Sequence, residues 1–192
     1  MEAFVVSTAV VALAELGDKT QLLAFLLAAR FKKPVPIIAG ILVATIANHA
    51  LAGALGAFIT ANVDPTVLRW VLGLSFLGMA GWTLIPDEIE EEETALATRL
   101  GVFGATLVTF FLAEMGDKTQ FATLTMAAHY TTPLLVVAGT TLGMLIADVP
   151  AVFLGDKFAS RISMRLVHGI AALLFAALGV ATLASVGAGW GI

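Results

Sequence analysis

The chain has 192 residues, 59% of them hydrophobic and only 12% charged, with a net charge of -4 and no cysteine. That composition, with its strongly positive mean hydropathy, is that of an integral membrane protein and leaves no room for a soluble catalytic domain. Disulfides, thiolate metal sites and cysteine nucleophiles are excluded, and no nucleic-acid partner is expected.

Apolar runs fall at about 3 to 29, 34 to 60, 67 to 85, 100 to 128, 133 to 154 and 166 to 187. Each is long enough for a helix to cross a hydrocarbon core of roughly 30 Å. The expected fold is therefore all-α, with six transmembrane helices in a lipid bilayer. The chain begins Met1-Glu2-Ala3-Phe4 without a basic stretch, so the first run is expected to be retained rather than cleaved as a signal peptide.

Inside the first run stands E-L-G-D-K-T-Q, Glu15 to Gln21, and inside the fourth stands E-M-G-D-K-T-Q, Glu114 to Gln120. Each copy puts a Glu, an Asp and a Lys where an ionised group costs roughly 2.5–3.5 kcal/mol on insertion scales. A polar seam that only holds helices together is the bland reading. Interhelical polar contacts are worth roughly 0.6–2 kcal/mol each, too little to offset several buried ions per copy, so a functional site is the better account.

Helix two carries a small residue at every fourth position, Gly40, Ala44, Asn48, Ala52 and Gly56 (with Asn48 the one larger member), and helix five repeats the stripe with Gly139, Gly143, Ala147, Ala151 and Gly155. Such stripes let helix backbones approach closely, and packing is their main reading. The same 99-residue offset relates Glu15 to Glu114 and each stripe to the other. Three helices per copy is an odd number, so the second copy enters the membrane from the opposite side. The expected organisation is two inverted three-helix repeats, 1–85 and 99–192, joined by an acidic linker at 86–98. Inverted repeats are common in secondary transporters, whose ion site lies near the midplane between the repeats.

Bases near helix ends are Arg30, Lys32, Lys33, Arg99, Lys157, Arg161 and Arg165 on one side, against Arg69 on the other. The positive-inside bias makes the first side cytoplasmic and puts both termini outside. The linker acids Asp87, Glu88 and Glu90 to Glu93 then face the cytoplasm, most simply as a solvated connector, with attraction of cytoplasmic cations as the second reading. Gly155-Asp156-Lys157 reads as an exposed helix end.

Counted along their runs, Glu15 and Glu114 lie roughly 18 and 21 Å deep, near the bilayer centre. On an uninterrupted helix Glu15 and Asp18 are three apart and share a face. Gly17 and Gly116 remove bulk beside them, letting a neighbouring backbone approach or the helix loosen. Inverted symmetry would bring Glu15 and Asp18 opposite Glu114 and Asp117, four carboxylates around one cavity. Like charges so close cannot all stay ionised without cations, so the cluster binds protons, metal ions, or each in turn. Oxygen ligands suit Ca2+, Mn2+ or Mg2+, and the absence of Cys argues against a soft-metal site.

Lys19 and Lys118 reduce the formal charge of the six groups to -2, which one divalent cation would neutralise. Alternatively they pair with Glu15 and Glu114 at the (i, i+4) spacing. Thr20, Gln21, Thr119 and Gln120 add neutral oxygens, and the glutamines read equally as ligands or as hydrogen bonds across helices. Asn48, and His49 with Asp148 at equivalent positions, read as supporting or proton-relay groups. Otherwise Asn48 and His49 bond nearby backbone and Asp148 caps a break made by Pro150.

Two copies of E-x-G-D-K-T, each in the first helix of a three-helix repeat with an acidic central loop, resemble the cation/proton antiporter family of Golgi and thylakoid manganese and calcium transporters and bacterial manganese exporters. The resemblance implies a six-helix antiporter that uses Glu15, Asp18, Glu114 and Asp117 to carry Mn2+ or Ca2+ against protons, with no prosthetic group. It also implies a bacterial plasma membrane, since organelle-targeted relatives are expected to carry N-terminal extensions. A proton-independent uniporter or channel is the nearest alternative, and a non-transporting scaffold stands in another class. Enzymatic activity is not expected, because the motif is E-x-G-D rather than the protease G-x-G-D, and H-E-x-x-H is absent. Homo-oligomerisation stays open.

Overall fold

The computed structural model describes residues 1–85, 100–154 and 164–184, so the acidic linker and Gly155-Asp156-Lys157 lie outside the described residues. The described residues form helices and no strand. In chain order these are α1 (Glu2–Glu15), α2 (Lys19–Phe31), α3 (Pro34–Asn62), α4 (Pro65–Trp82), α5 (Gly101–Glu114), α6 (Lys118–His129), α7 (Pro133–Leu154) and α8 (Met164–Ala184).

Local sequence sets the boundaries. Pro34, Pro65 and Pro133 each begin a helix, where the missing N–H costs nothing. Asp64 caps α4 by accepting from the Thr66 and Val67 amides. Lys32 ends α2 in the left-handed conformation, its amide bonded to the Ala28 carbonyl.

α3, at 29 residues, and α7 are each long and apolar enough to cross a membrane. At 1.5 Å per residue α3 extends roughly 43 Å. Val43, Ile46, Leu51, Leu55 and Phe58 point outward from α3, whereas Glu15, Asn48, His49, Glu114 and Asp148 are buried. Large apolar side chains outside and ionisable ones inside invert the arrangement of a protein surrounded by water, and they fit a lipid environment.

The expected first and fourth helices are each broken at the motif. α1 ends at Glu15, Leu16 is extended, Gly17 takes φ +84°, and Asp18 is the N-cap of α2. In the other half α5 ends at Glu114, Met115 is extended, Gly116 takes φ +81°, and Asp117 is the N-cap of α6. Glu15 and Asp18 therefore do not share the face of one helix, because the backbone turns between them. A β-carbon on Gly116 would meet nothing within 4 Å, so glycine answers the left-handed φ there, not a shortage of space.

α1 packs along α7, and α5 with α6 packs along α3. A β-carbon on Gly40 would lie 2.7 Å from the Thr106 side chain and 3.0 Å from the Phe103 carbonyl; one on Gly139 would lie 3.0 Å from Ser7 and 2.5 Å from the Phe4 carbonyl. These contacts correspond residue for residue at the 99-residue offset. The small stripe thus does what its spacing implies, seating one backbone on another. Pro150 lies inside α7 without ending it, so the expected break there is not found.

Candidate metal site

The carboxylates beside the two helix breaks are buried, and those of Glu15, Glu114 and Asp117 converge. Glu15 and Glu114 are the last residues of α1 and α5, at helix ends that the helix dipole makes negative. A carboxylate there opposes the helix dipole, which a bound cation would reverse from a cost to a gain. Broken helices whose carbonyl ends converge at mid-depth are a recurrent way of building a cation site in a membrane.

Single carboxylate oxygens of Glu15, Glu114 and Asp117 lie within 4.8 Å of one another, and all three residues are buried. An ion held at roughly 2.3–2.6 Å from each oxygen spans oxygens up to about 5 Å apart, so the spacing suits a calcium-sized ion. Asp18, also buried, uses Oδ1 to accept from the Lys19 amide at the start of α2 and is not in that tightest group.

Each glutamate is held in the same way. Thr20 Oγ1 donates to Glu15 Oε2 at 2.7 Å, and Thr119 Oγ1 donates to Glu114 Oε2 at 2.7 Å. The other oxygen of each, Oε1, is buried without a hydrogen-bond partner among the described residues. A buried acceptor left unsatisfied costs about 1–3 kcal/mol. Two such oxygens at one place fit a cation better than they fit a structural seam.

Gln21 and Gln120 act as hydrogen-bonding bridges. Gln21 Oε1 accepts from the Gly17 amide at 2.9 Å and its Nε2 donates to the Ala147 carbonyl at 2.9 Å. Gln120 Oε1 accepts from the Gly116 amide at 2.7 Å and its Nε2 donates to Asn48 Oδ1 at 3.3 Å. Asn48 Nδ2 in turn donates to the Phe111 carbonyl at 3.0 Å. A helix break away from water frees backbone groups that must be satisfied within the protein. The glutamines satisfy one amide in each break and pin it to α7 or α3, which is the structural of their two readings.

Lys19 Nζ lies 3.5 Å from Asp117 Oδ1, an ion pair from the first motif to the second. Lys118 is buried and its Nζ donates to the Ile85 carbonyl, at 2.6 Å, just beyond the end of α4. Neither contact is the (i, i+4) pairing that the spacing allows. The Lys19 ammonium thus offsets part of the negative charge of the three converging carboxylates.

Asp148 and His49 are fully buried, and neither the Asp148 oxygens nor the His49 ring nitrogens have a hydrogen-bond partner among the described residues. Asp148 therefore does not act as a cap. It stands within electrostatic reach of Glu15 and Glu114 and follows Ala147, whose carbonyl receives Gln21. The carbonyls of Ile85, Phe111 and Ala147 are partners that residue pattern could not reveal, since every residue has one.

A family model described as "Divalent cation/proton antiporter GDT1" matches residues 3–91 and 102–189. A Vibrio cholerae protein described as "Putative manganese exporter" is 50% identical over 183 residues, covering 95% of this chain and 90% of its own. The GDT1-like protein sll0615 of Synechocystis is 31% identical over 194 residues, covering 91% of this chain and 93% of its own. GDT1-like protein 3 of rice is 30% identical over 207 residues, covering 94% of this chain and 73% of its own. No solved structure matches the chain.

Proposed function

The chain belongs to the GDT1 family of divalent cation/proton antiporters, and from that premise we propose that it exports Mn2+, and Ca2+ where present, in exchange for protons. The observation that carries the proposal is the meeting of buried oxygens from both motifs, Glu15 with Glu114 and Asp117, at one place. Asp18 completes the ligand set once its carboxylate turns from the α2 amide.

In this reading α1 with α2 forms one crossing and α5 with α6 another, which makes six. Three crossings per half invert 99–192 relative to 1–85, with 86–98 as the cytoplasmic link. The matching glycine seats and the matching Thr–Glu and Gln–Gly bonds support that symmetry. The basic residues clustered at one set of helix ends support a cytoplasmic linker and external termini. The bacterial and cyanobacterial relatives fit a bacterial inner membrane.

Ligand carboxylates bind a metal only when deprotonated, so metal and protons compete for the same oxygens. With the site open to the cytoplasm, the acids release protons and take up the ion. With it open outward, the ion leaves as protons return. Asp148, close to the site yet outside the tightest group, serves as a further proton carrier, and His49 lies at its counterpart position in the other half.

The test is Mn2+ and Ca2+ flux in proteoliposomes, with internal pH read simultaneously, with and without an imposed pH gradient. Proton movement opposite to metal, lost in Asp117→Asn, is the expected result. Metal flux indifferent to the gradient would make the protein a uniporter or channel. Absence of flux for either ion would leave a scaffold.

A further inference from the structure

Exchanging the halves replaces α1 by α5, α2 by α6, α3 by α7 and α4 by α8. The inner helices respect this exchange, since α1 packs on α7 as α5 packs on α3, and α2 on α7 as α6 on α3. The last helix of each half does not. α4 packs on α6 and α8 packs on α1, whereas the exchanged contacts, α4 on α5 and α8 on α2, are at most marginal among the described residues. α1 and α6 are the half-crossings between the carboxylates and the end carrying Met1 and His129. Among the described residues, α4 and α8 therefore pack against one half of the broken helices, α1 and α6, and hardly against the other, α2 and α5.

The seam between α4 and α8 contains one contact that the exchange carries into itself. The rings of Phe76 and Phe175, one offset apart, stack at 6.5 Å. A β-carbon on Gly73 would meet Leu183 Cγ at 2.5 Å, and one on Gly179 would meet Leu77 Cγ at 2.9 Å. Close glycine seats of this kind hold membrane helices together. A seam closed by glycine seats around the self-matching Phe76–Phe175 pair can remain intact while the two helices trade their contacts with α1 and α6 for the exchanged ones.

The grip on α6 is looser. Leu68 and Leu72 of α4 pack against Ala128, and the His129 ring meets Phe76 edge-on at 5.7 Å. Beside them lies a cavity of about 280 Å³, lined by Leu68 and Leu72 of α4, Thr182 of α8, and Thr60 and His129 near the ends of α3 and α6. Lys118, next to the ligand Asp117, holds the Ile85 carbonyl and so joins the metal site to the other end of α4.

We propose that α4 and α8 move as one body, swinging between the two halves of the broken helices, and that this structure is closed towards the Met1 and His129 end. The inference rests on the transport reading above and deepens it by naming the moving part. The rocking unit is then neither repeat as a whole. The broken helices, α3 and α7 hold the ion while the last helices choose the side from which it is reached.

Cysteine cross-linking tests this cleanly in a chain without cysteine. Gly73→Cys with Leu183→Cys locks α4 to α8, the loss of the leucine giving the new side chain room. Leu77→Cys with Gly179→Cys is a second pair for the same seam. Leu68→Cys with Ala128→Cys locks α4 to α6. In proteoliposomes the α4–α8 lock should leave Mn2+ flux near that of the same variant kept reduced, while the α4–α6 lock should lower it roughly tenfold or more, reversibly with a thiol reductant. Block by both α4–α8 locks, or full flux through the α4–α6 lock, would overturn the inference and leave the transporter standing. No Mn2+ flux in the uncrosslinked parent chain would overturn the transport reading and this inference with it.

Discussion

Lys19 and Asp117 come from different motifs, yet Lys19 Nζ lies 3.5 Å from Asp117 Oδ1, so the first half supplies a positive charge to a carboxylate of the second. Lys19 is partly exposed while Asp117 is buried, which lets the ammonium withdraw towards water when a metal arrives. The lysine thus competes with the cation for one ligand. Replacing it by Met should tighten equilibrium Mn2+ binding by roughly tenfold, about 1.4 kcal/mol, and slow release in turnover. Mn2+ titration beside initial-rate flux checks this, and weaker binding would mean that Lys19 orients Asp117 rather than competing for it.

Thr20 and Thr119 each fix one oxygen of a glutamate, whose other oxygen has no hydrogen-bond partner among the described residues. Thr20→Val and Thr119→Val keep shape but remove the donor, so each should cost about 1–3 kcal/mol. The loss should appear in Mn2+ affinity, with Ser in place of Val restoring most of it. Equal effects at the two positions are expected from their matching bonds.

Gly17 and Gly116 turn the chain in the left-handed region. Alanine at either position should destabilise the protein by about 1–2 kcal/mol. Asparagine, which tolerates that region, should cost less. Thermal unfolding in detergent gives the ranking, and an unchanged midpoint for both alanine variants would contradict the described break.

Gly40 and Gly139 seat α3 on α5 and α7 on α1. Leucine at either should force the helices apart and lower the unfolding midpoint markedly. Gly78→Ala serves as the control, since a β-carbon there would meet nothing within 4 Å.

Protons and metal share the carboxylates in the proposed mechanism, so apparent Mn2+ affinity should fall as the medium is acidified. A titration of Mn2+ binding against pH measures it. Affinity independent of pH across the acid range would separate the proton from these oxygens.

The repeated motif, the 99-residue offset and the small stripes were legible because each is a matter of residue type and spacing. The glycine seats and converging glutamates followed from them. The helix breaks escaped the hydropathy pattern, although a local signal was present: a glycine followed by Asp reads as a helix stop and a new N-cap. Continuous hydropathy through the motif masked it, since periodicity measures burial and not backbone direction. Pro150 misled in the opposite sense, because a proline within a long buried helix can be held by its neighbours. The Lys19–Asp117 pair depends on how two distant breaks face one another, which sequence spacing does not encode.

The central claim is that the two motifs form one metal site. The most direct measurement is Mn2+ binding to the purified protein by electron paramagnetic resonance, for the parent chain, Glu15→Gln and Glu114→Gln. One tightly bound Mn2+ per chain, lost in either variant, is the expected result. Two bound ions in the parent, or one retained in each single variant, would mean that each motif holds its own ion and would contradict it.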